Sequence, residues 1–368
     1  MNPRATWIAL ALVGCGAKTG LEIPDAPMDA PALPDAPRPP DTPDAPPVCI
    51  PGEFDVAPAT ADVVFVIDRS GSMRLALDGR EPVPREEWRW TLLGEALGVA
   101  LGRFDERIRV GAKFYPDPID VPMPSPEIAC RSSSGIDVPI STTGRAAVLS
   151  TFPRTEPFGG TPTAVALAEA ASALRRAGSP RRFIVLATDG GPNCNDGPSI
   201  DPFTCVCTSA SPDECAANPD LGIYACLDDD RTVRTIAEAA GSGTPVFVIG
   251  IEPTMRPDLV DVLDRMAVAG GRARTAPGER AFYSVRSEPE LAEALDAITG
   301  SISRCGFVSP SVPADESTFS LEIDGVPIPR EGWEWVDRER GELELGDAAC
   351  EDAGLPGSRI VAIIDDCP

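Results

Sequence analysis

Residues 63–73, VVFVIDRSGSM, end an apolar run in one carboxylate and two hydroxyls, with Asp68, Ser70 and Ser72 at i, i+2 and i+4. Hard oxygens at this spacing are the chemistry of a hard cation. Mg²⁺ takes about six oxygens at roughly 2.0–2.1 Å and surrenders water reluctantly, so a shallow loop with one carboxylate and two hydroxyls suits it better than a deep cage. Two later segments carry residues of the same kind. GGTPT at 159–163 puts Thr161 in a glycine loop just before an apolar-periodic segment, and FIVLATDGG at 183–191 puts Asp189 just past a second apolar run.

The elements that would position these residues are legible as alternating periodicities. Apolar runs predict strands at 62–68, 108–115, 183–188, 245–251 and 281–285, with an edge strand near 135–141. Helical periodicity predicts helices at 86–103, 144–152, 162–177, 229–240, 256–269 and 288–303. Gly178 and Gly241 read as helix stops, and Pro289 falls in the first turn of the last helix. Strands alternating with helices imply an α/β fold, a doubly wound and mostly parallel Rossmann-like sheet flanked by helices. In such a sheet Asp68 and Asp189 reach the same carboxyl edge, where ligand sites form. Two insertions interrupt the pattern, at 116–134 and 192–228. The second leaves directly from Asp189, so it is expected to form a disulfide-stapled cap over that edge.

Together the three segments resemble the von Willebrand factor A (VWA) domain, whose metal-ion-dependent adhesion site has the pattern D-x-S-x-S, then T, then D. The resemblance covers residues 60–304 and fills all five positions. Carried over residue by residue, it implies metal ligation by Asp68, Ser70, Ser72, Thr161 and Asp189. The cation it implies is Mg²⁺, with Mn²⁺ or Ca²⁺ as other hard ions that oxygens accept. One coordination position is left for a partner, so the implied ligand is a protein offering an Asp or Glu carboxylate. No catalytic residue is implied.

The N-terminus points to export. Residues 1–15, MNPRATWIALALVGC, join one positive charge at Arg4 to an apolar run too short to span a bilayer, as in a secretory signal peptide. Leu12-Val13-Gly14-Cys15 resembles a bacterial lipobox, which implies acylation at Cys15 and attachment to the membrane by lipid alone. Glycine at position 16 favours the outer membrane of a Gram-negative envelope. Residues 16–48 are rich in Pro, Ala and Asp, with PDAP recurring at 24–27, 34–37 and 43–46. Such a segment cannot bury a core and reads as an extended tether, on the order of 100 Å at most.

Of eleven cysteines, setting Cys15 aside leaves ten, an even number suited to an oxidising compartment. Cys194, Cys205, Cys207, Cys215 and Cys226 crowd one segment. Zinc ligation there is disfavoured, because the chain has no histidine and no CxxC pairs, and exported thiols oxidise. Cys130 is expected to pair with one of the five, leaving four to pair among themselves. For the rest, Cys49–Cys305 would join the ends of the A domain, and Cys350–Cys367 would close a C-terminal module. That module, 306–368, alternates as strands do and carries Asp324-Gly325 as a hairpin turn. Trp333 and Trp335 share a strand face there and read as buried core rather than a sugar platform.

Composition narrows function further. A net charge of −25 with two lysines disfavours nucleic acid and anionic headgroups as partners. Arg175, Arg176, Arg181 and Arg182 read as compensation of a helix dipole, and Asp228, Asp229 and Asp230 as acidic residues at a helix start rather than a calcium site. Without histidine the usual general base and the Ser-His and Cys-His pairs are missing. The expected function is an envelope lipoprotein that binds a protein through a metal, in adhesion or envelope assembly. Two alternatives stay open: a structural envelope protein in which metal only stabilises loops, and a metal-dependent hydrolase.

Overall fold

Every residue of the run Ala61–Asp68 is buried, which a strand achieves only when the sheet is covered on both faces. The computed structural model describes residues 48–367, apart from 105, 122–123, 196–199, 210–212, 219–223, 252–256 and 356. Cys15 and the expected signal segment and tether, as far as residue 47, lie outside the described residues. The strands in chain order are β1 (Gly52–Asp55), β2 (Ala57–Pro58), β3 (Ala61–Asp68), β4 (Ile108–Tyr115), β5 (Val138–Ser141), β6 (Arg182–Thr188), β7 (Val246–Ile251) and β8 (Tyr283–Val285). Then follow β9 (Gly306–Val308), β10 (Phe319–Ile323), β11 (Val326–Ile328), β12 (Trp333–Asp337), β13 (Glu342–Leu345) and β14 (Ile360–Ile364).

Six strands form the central sheet in the order β5-β4-β3-β6-β7-β8, parallel except for β5 at one edge. This is the doubly wound, mostly parallel α/β architecture expected from the alternating periodicities. Strand alternation sends Val63, Phe65 and Ile67 into one layer, with the helices Arg89–Leu101 and Glu288–Arg304. Val64 and Val66 enter the other, with the helices Thr163–Ala177, Asp229–Gly241 and Pro257–Ala269. Each such fully buried side chain contributes about 1.5–3 kcal/mol, so β3 anchors both layers. No described helix is long and apolar enough to cross a membrane.

Some boundaries moved for local reasons. The helix expected from 86 begins at Arg89, because Trp88 is extended (φ −64°, ψ 139°) and Arg85–Glu87 form only a 3₁₀ turn. The edge strand begins at Val138 rather than 135, since the Asp137 carboxylate accepts the Phe114 amide at 2.7 Å in place of a ladder bond. Gly178 takes the left-handed conformation (φ 76°) that stops its helix, whereas Gly241 is the last helical residue of its own and the turn falls at Gly243 (φ 77°).

The C-terminal segment forms two antiparallel sheets, β1-β14-β10-β11 and β12-β13-β9-β2. Both recruit strands from before the α/β domain, so this module is not built from 306–368 alone. The α/β layers and these sheets fall in one compact unit. The expected pairings Cys49–Cys305 and Cys350–Cys367 are corrected to Cys49–Cys367 and Cys305–Cys350. Pairing of Gly52 with Ile364 draws the two chain ends together, which brings Cys49 to Cys367. Asp324 (φ 52°) and Gly325 (φ 80°) make the hairpin turn between β10 and β11. Trp333 is buried and packs edge-on against Phe319 and Trp335, as core aromatics do.

Two arginines assigned to helix compensation do something else. Arg181 is 1% exposed, lies over the Phe183 ring and donates Nη2 to the Ile302 carbonyl at 3.2 Å. It packs so closely on Gly306 that a Cβ there would fall 1.9 Å from its Cζ. Arg182 binds Thr244 Oγ1 at 2.8 Å and the Ser242 carbonyl at 2.6 Å. Arg175 and Arg176 do stand in the last helical turn, as expected.

Candidate metal centre

Asp68 is the last residue of β3, and the fully buried strand leaves its carboxylate no route to solvent. Its Oδ1 accepts the Ser70 amide at 2.8 Å and its Oδ2 accepts Thr188 Oγ1 at 2.7 Å, so the ends of β3 and β6 are tied together. Burial, and then the charge of Asp189, push the Asp68 carboxyl up to about 7, against the hydrogen bonds from Thr188 and Ser70. Past Asp68 the chain turns through the 3₁₀ segment Gly71–Arg74, which sets Ser70 Oγ 3.0 Å from Ser72 Oγ. Ser72 Oγ then donates to Asp189 Oδ1 at 2.9 Å. Four of the five expected residues are thus linked by hydrogen bonds within one cluster.

Thr161 arrives through its backbone. Gly71 donates to the Gly159 carbonyl at 3.1 Å and Phe158 to the Arg69 carbonyl at 2.9 Å, which locks the glycine loop to the serine loop. Gly159 has φ +100°, and a Cβ would lie 2.8 Å from the Ala129 carbonyl oxygen, so only glycine fits there. On its other side Thr161 accepts the Asn193 amide at 3.0 Å and donates its own amide to Asn193 Oδ1 at 2.6 Å. The loop that follows Asp189 therefore closes back onto Thr161.

The two insertions meet at this loop. Disulfide Cys130–Cys194 joins them across 64 residues and lies against Gly160, where a Cβ would be 2.7 Å from Cys194 Sγ. Cys205–Cys226 and Cys207–Cys215 staple the second insertion, so the sulfurs of Cys205, Cys215 and Cys226 that gather there are bonded in pairs. An Asn193 Nδ2 bond to Thr208 Oγ1 at 2.9 Å connects the stapled part to the rim. Asp229 and Asp230 open the helix Asp229–Gly241 and pair with Arg265, at 2.5 and 2.9 Å. That is the helix-start role expected of them.

One residue of the cluster escaped the sequence reading. Arg89 donates Nη1 to Asp189 Oδ2 at 2.6 Å, with side chains only 3% and 2% exposed, and its Nε donates to the Ala76 carbonyl at 3.1 Å. The available signal was its spacing: Arg89, Leu93 and Leu97 share one buried helix face, where a charge is out of place unless paired. Tyr115 completes the surroundings. It is fully buried, its hydroxyl accepts from Thr163 Oγ1 at 3.5 Å, and burial together with the Asp68 charge raises its pKa well above the ordinary value.

No family model and no curated protein matches this chain. It is similar to the solved PilB minor pilin from Streptococcus sanguinis, with 18% identity and a TM-score of 0.44, over 67% of this chain and 62% of that one. It is also similar to the open conformation of the pilus adhesin SpaC from Lactobacillus rhamnosus GG, at 15% identity and TM-score 0.44, over 85% and 40% of the two chains. A third is the vWF domain of the type V pili tip protein Mfa5 from Porphyromonas gingivalis, at 15% identity and TM-score 0.40, over 67% and 96%. The chain thus spans less than two thirds of the pilin and of SpaC. The fold itself is read from the sheet order.

The cluster gathers two carboxylates and the Ser70 and Ser72 hydroxyls, with Thr161 in the adjoining loop, and it carries no sulfur and no imidazole. Oxygen donors of this kind fit a hard divalent cation rather than a softer one. Two buried carboxylates stand close enough for one to raise the pKa of the other, and Arg89 pairs with only one of them. Positive charge at this point is therefore favoured.

Proposed function

We propose that the chain is an envelope protein whose α/β domain binds a protein ligand through a divalent cation held by Asp68, Ser70, Ser72, Thr161 and Asp189. The observation that carries this reading is the hydrogen-bonded chain from Ser70 Oγ through Ser72 Oγ to Asp189 Oδ1, at 3.0 and 2.9 Å, formed by residues from loops 117 positions apart. Bound Mg²⁺ would supply a Lewis-acid contact for a partner's Asp or Glu carboxylate. Hydroxyls and carboxylates orient it, and the stapled insertions beside Gly160 limit what approaches. Phe158, 39% exposed next to the glycine loop, offers that partner an apolar contact. In this reading Cys15 carries the lipid that holds the chain to the outer membrane, and the proline-rich segment spaces the domain from it.

The test is a pull-down from envelope extracts with the full chain, in Mg²⁺ and in EDTA, alongside Asp68→Ala. Capture of a protein in Mg²⁺ that both EDTA and Asp68→Ala abolish is expected. Capture that survives both treatments would exclude the metal bridge. Turnover of a phosphate or glycoside substrate that disappears in Ser70→Ala would replace binding with hydrolysis as the function.

A further inference from the structure

The pairing of Asp189 with Arg89 bears on how the site behaves without its ion. Asp189 has both oxygens engaged: Oδ1 accepts from Ser72 and Oδ2 from Arg89. The guanidinium is held from behind by the Ala76 carbonyl at 3.1 Å, and the Arg89 backbone amide donates to the Leu75 carbonyl at 2.9 Å, so side chain and backbone are each anchored apart from Asp189. A fixed positive charge therefore touches the same carboxylate that a divalent ion would need. Like charges at this range repel strongly where water is excluded. Resting on the metal reading above, we infer that Arg89 is a resident counter-ion: it keeps the three loops assembled in the metal-free protein and lowers the affinity for the divalent cation, so that the ion exchanges without the loops unfolding. Arg89 thus acts as a positioning residue through Asp189.

Two consequences separate this from a plain packing role. Removing the charge should tighten cation binding even though it weakens the fold, because Asp189 is freed and a competing charge is gone. Keeping the charge should keep the affinity. Mn²⁺ binding followed by the EPR signal of the free ion, on the full chain, is expected to be about tenfold tighter in Arg89→Gln than in the wild type. In Arg89→Lys it should stay within about threefold of the wild type. Should Arg89→Gln fail to fold, hydrogen exchange on the wild type decides instead: residues 69–74 should be protected to a similar degree in EDTA and in Mg²⁺. Binding no tighter in a folded Arg89→Gln, equal tightening in Arg89→Lys, or protection lost in EDTA would each overturn the inference. A wild type that binds Mn²⁺ no better than Asp68→Ala sinks the metal reading as well, a result distinct from these.

Discussion

The two ends of the central sheet bury arginines in opposite ways. At the carboxyl edge Arg89 meets Asp189 directly, and each side chain is satisfied. At the amino edge Arg181 is equally buried, yet its Nε and Nη1 have no hydrogen-bond partner, and neither does Glu342 Oε2. There Arg272 takes Glu344, while Arg181 is offset only by the more diffuse charges of Glu344 and Glu342, and burial lowers its pKa. A tight pair fixes the orientation of the Asp189 carboxylate. A loose cluster wedged between the sheet and the antiparallel module fixes none, and costs desolvation that apolar packing would avoid.

The sharpest way to break this contrast is to remove one arginine at each end. In EDTA, Arg89→Gln is expected to lose about 3–5 kcal/mol in denaturant unfolding, because Asp189 is left buried and unpaired. The double variant Arg181→Met, Glu342→Gln is expected to be neutral or up to about 4 kcal/mol more stable. Equal losses at both ends would show that the two clusters do the same work. Next in size is the staple of the antiparallel module. Replacing Cys49 and Cys367 by serine opens a link of 318 residues and should cost about 2–5 kcal/mol, while Mn²⁺ affinity at the other end stays within about twofold.

A pH titration sharpens the amino-edge side. Burial, and then the Asp337 charge, raise Glu342 from an ordinary 4.5 to about 7, against the pull of Arg181 and Arg340. A raised carboxyl favours the protonated folded state, so this contribution is fully present below pH 4.5 and is lost as pH rises through about 7. Relative to Glu342→Gln, the wild type should therefore lose about 1–3 kcal/mol between pH 4.5 and 8 in chemical denaturation. A difference that stays flat over that range would remove the asymmetry between the ends. The smallest effect belongs to the rim. Ser72→Ala deletes one hydrogen bond to Asp189 and should cost about 0.5–1.5 kcal/mol in EDTA, with a larger loss of Mn²⁺ affinity.

Much of the hydrogen-bonded cluster proposed as the site was legible because its residues sit next to strong periodic signals. Asp68 and Asp189 each follow a run of buried β-branched and apolar residues, and such runs in a parallel sheet must end at one edge. The pairing of Cys130 with one of the five crowded cysteines, Cys194, was likewise legible from number alone. What stayed hidden depended on partners far apart in sequence. Spacing with Leu93 and Leu97 places Arg89 on the core face of its helix, but nothing local names its partner, Asp189, 100 positions away. Arg181 and Arg182 look alike in sequence, but only one lies under the antiparallel module.

The sequence by itself determined the α/β alternation, the identity of the oxygen-bearing residues and the ten cysteines that remain for pairing once Cys15 is set aside, because each depends on residue type and short-range spacing. Tertiary structure alone decided that β1 and β2 join the C-terminal strands, and with them that Cys49 meets Cys367. It alone decided, too, which buried charges pair and which do not. The physical reason is common to both: strand partners and counter-ions are chosen by distance in space, and the sequence states only distance along the chain.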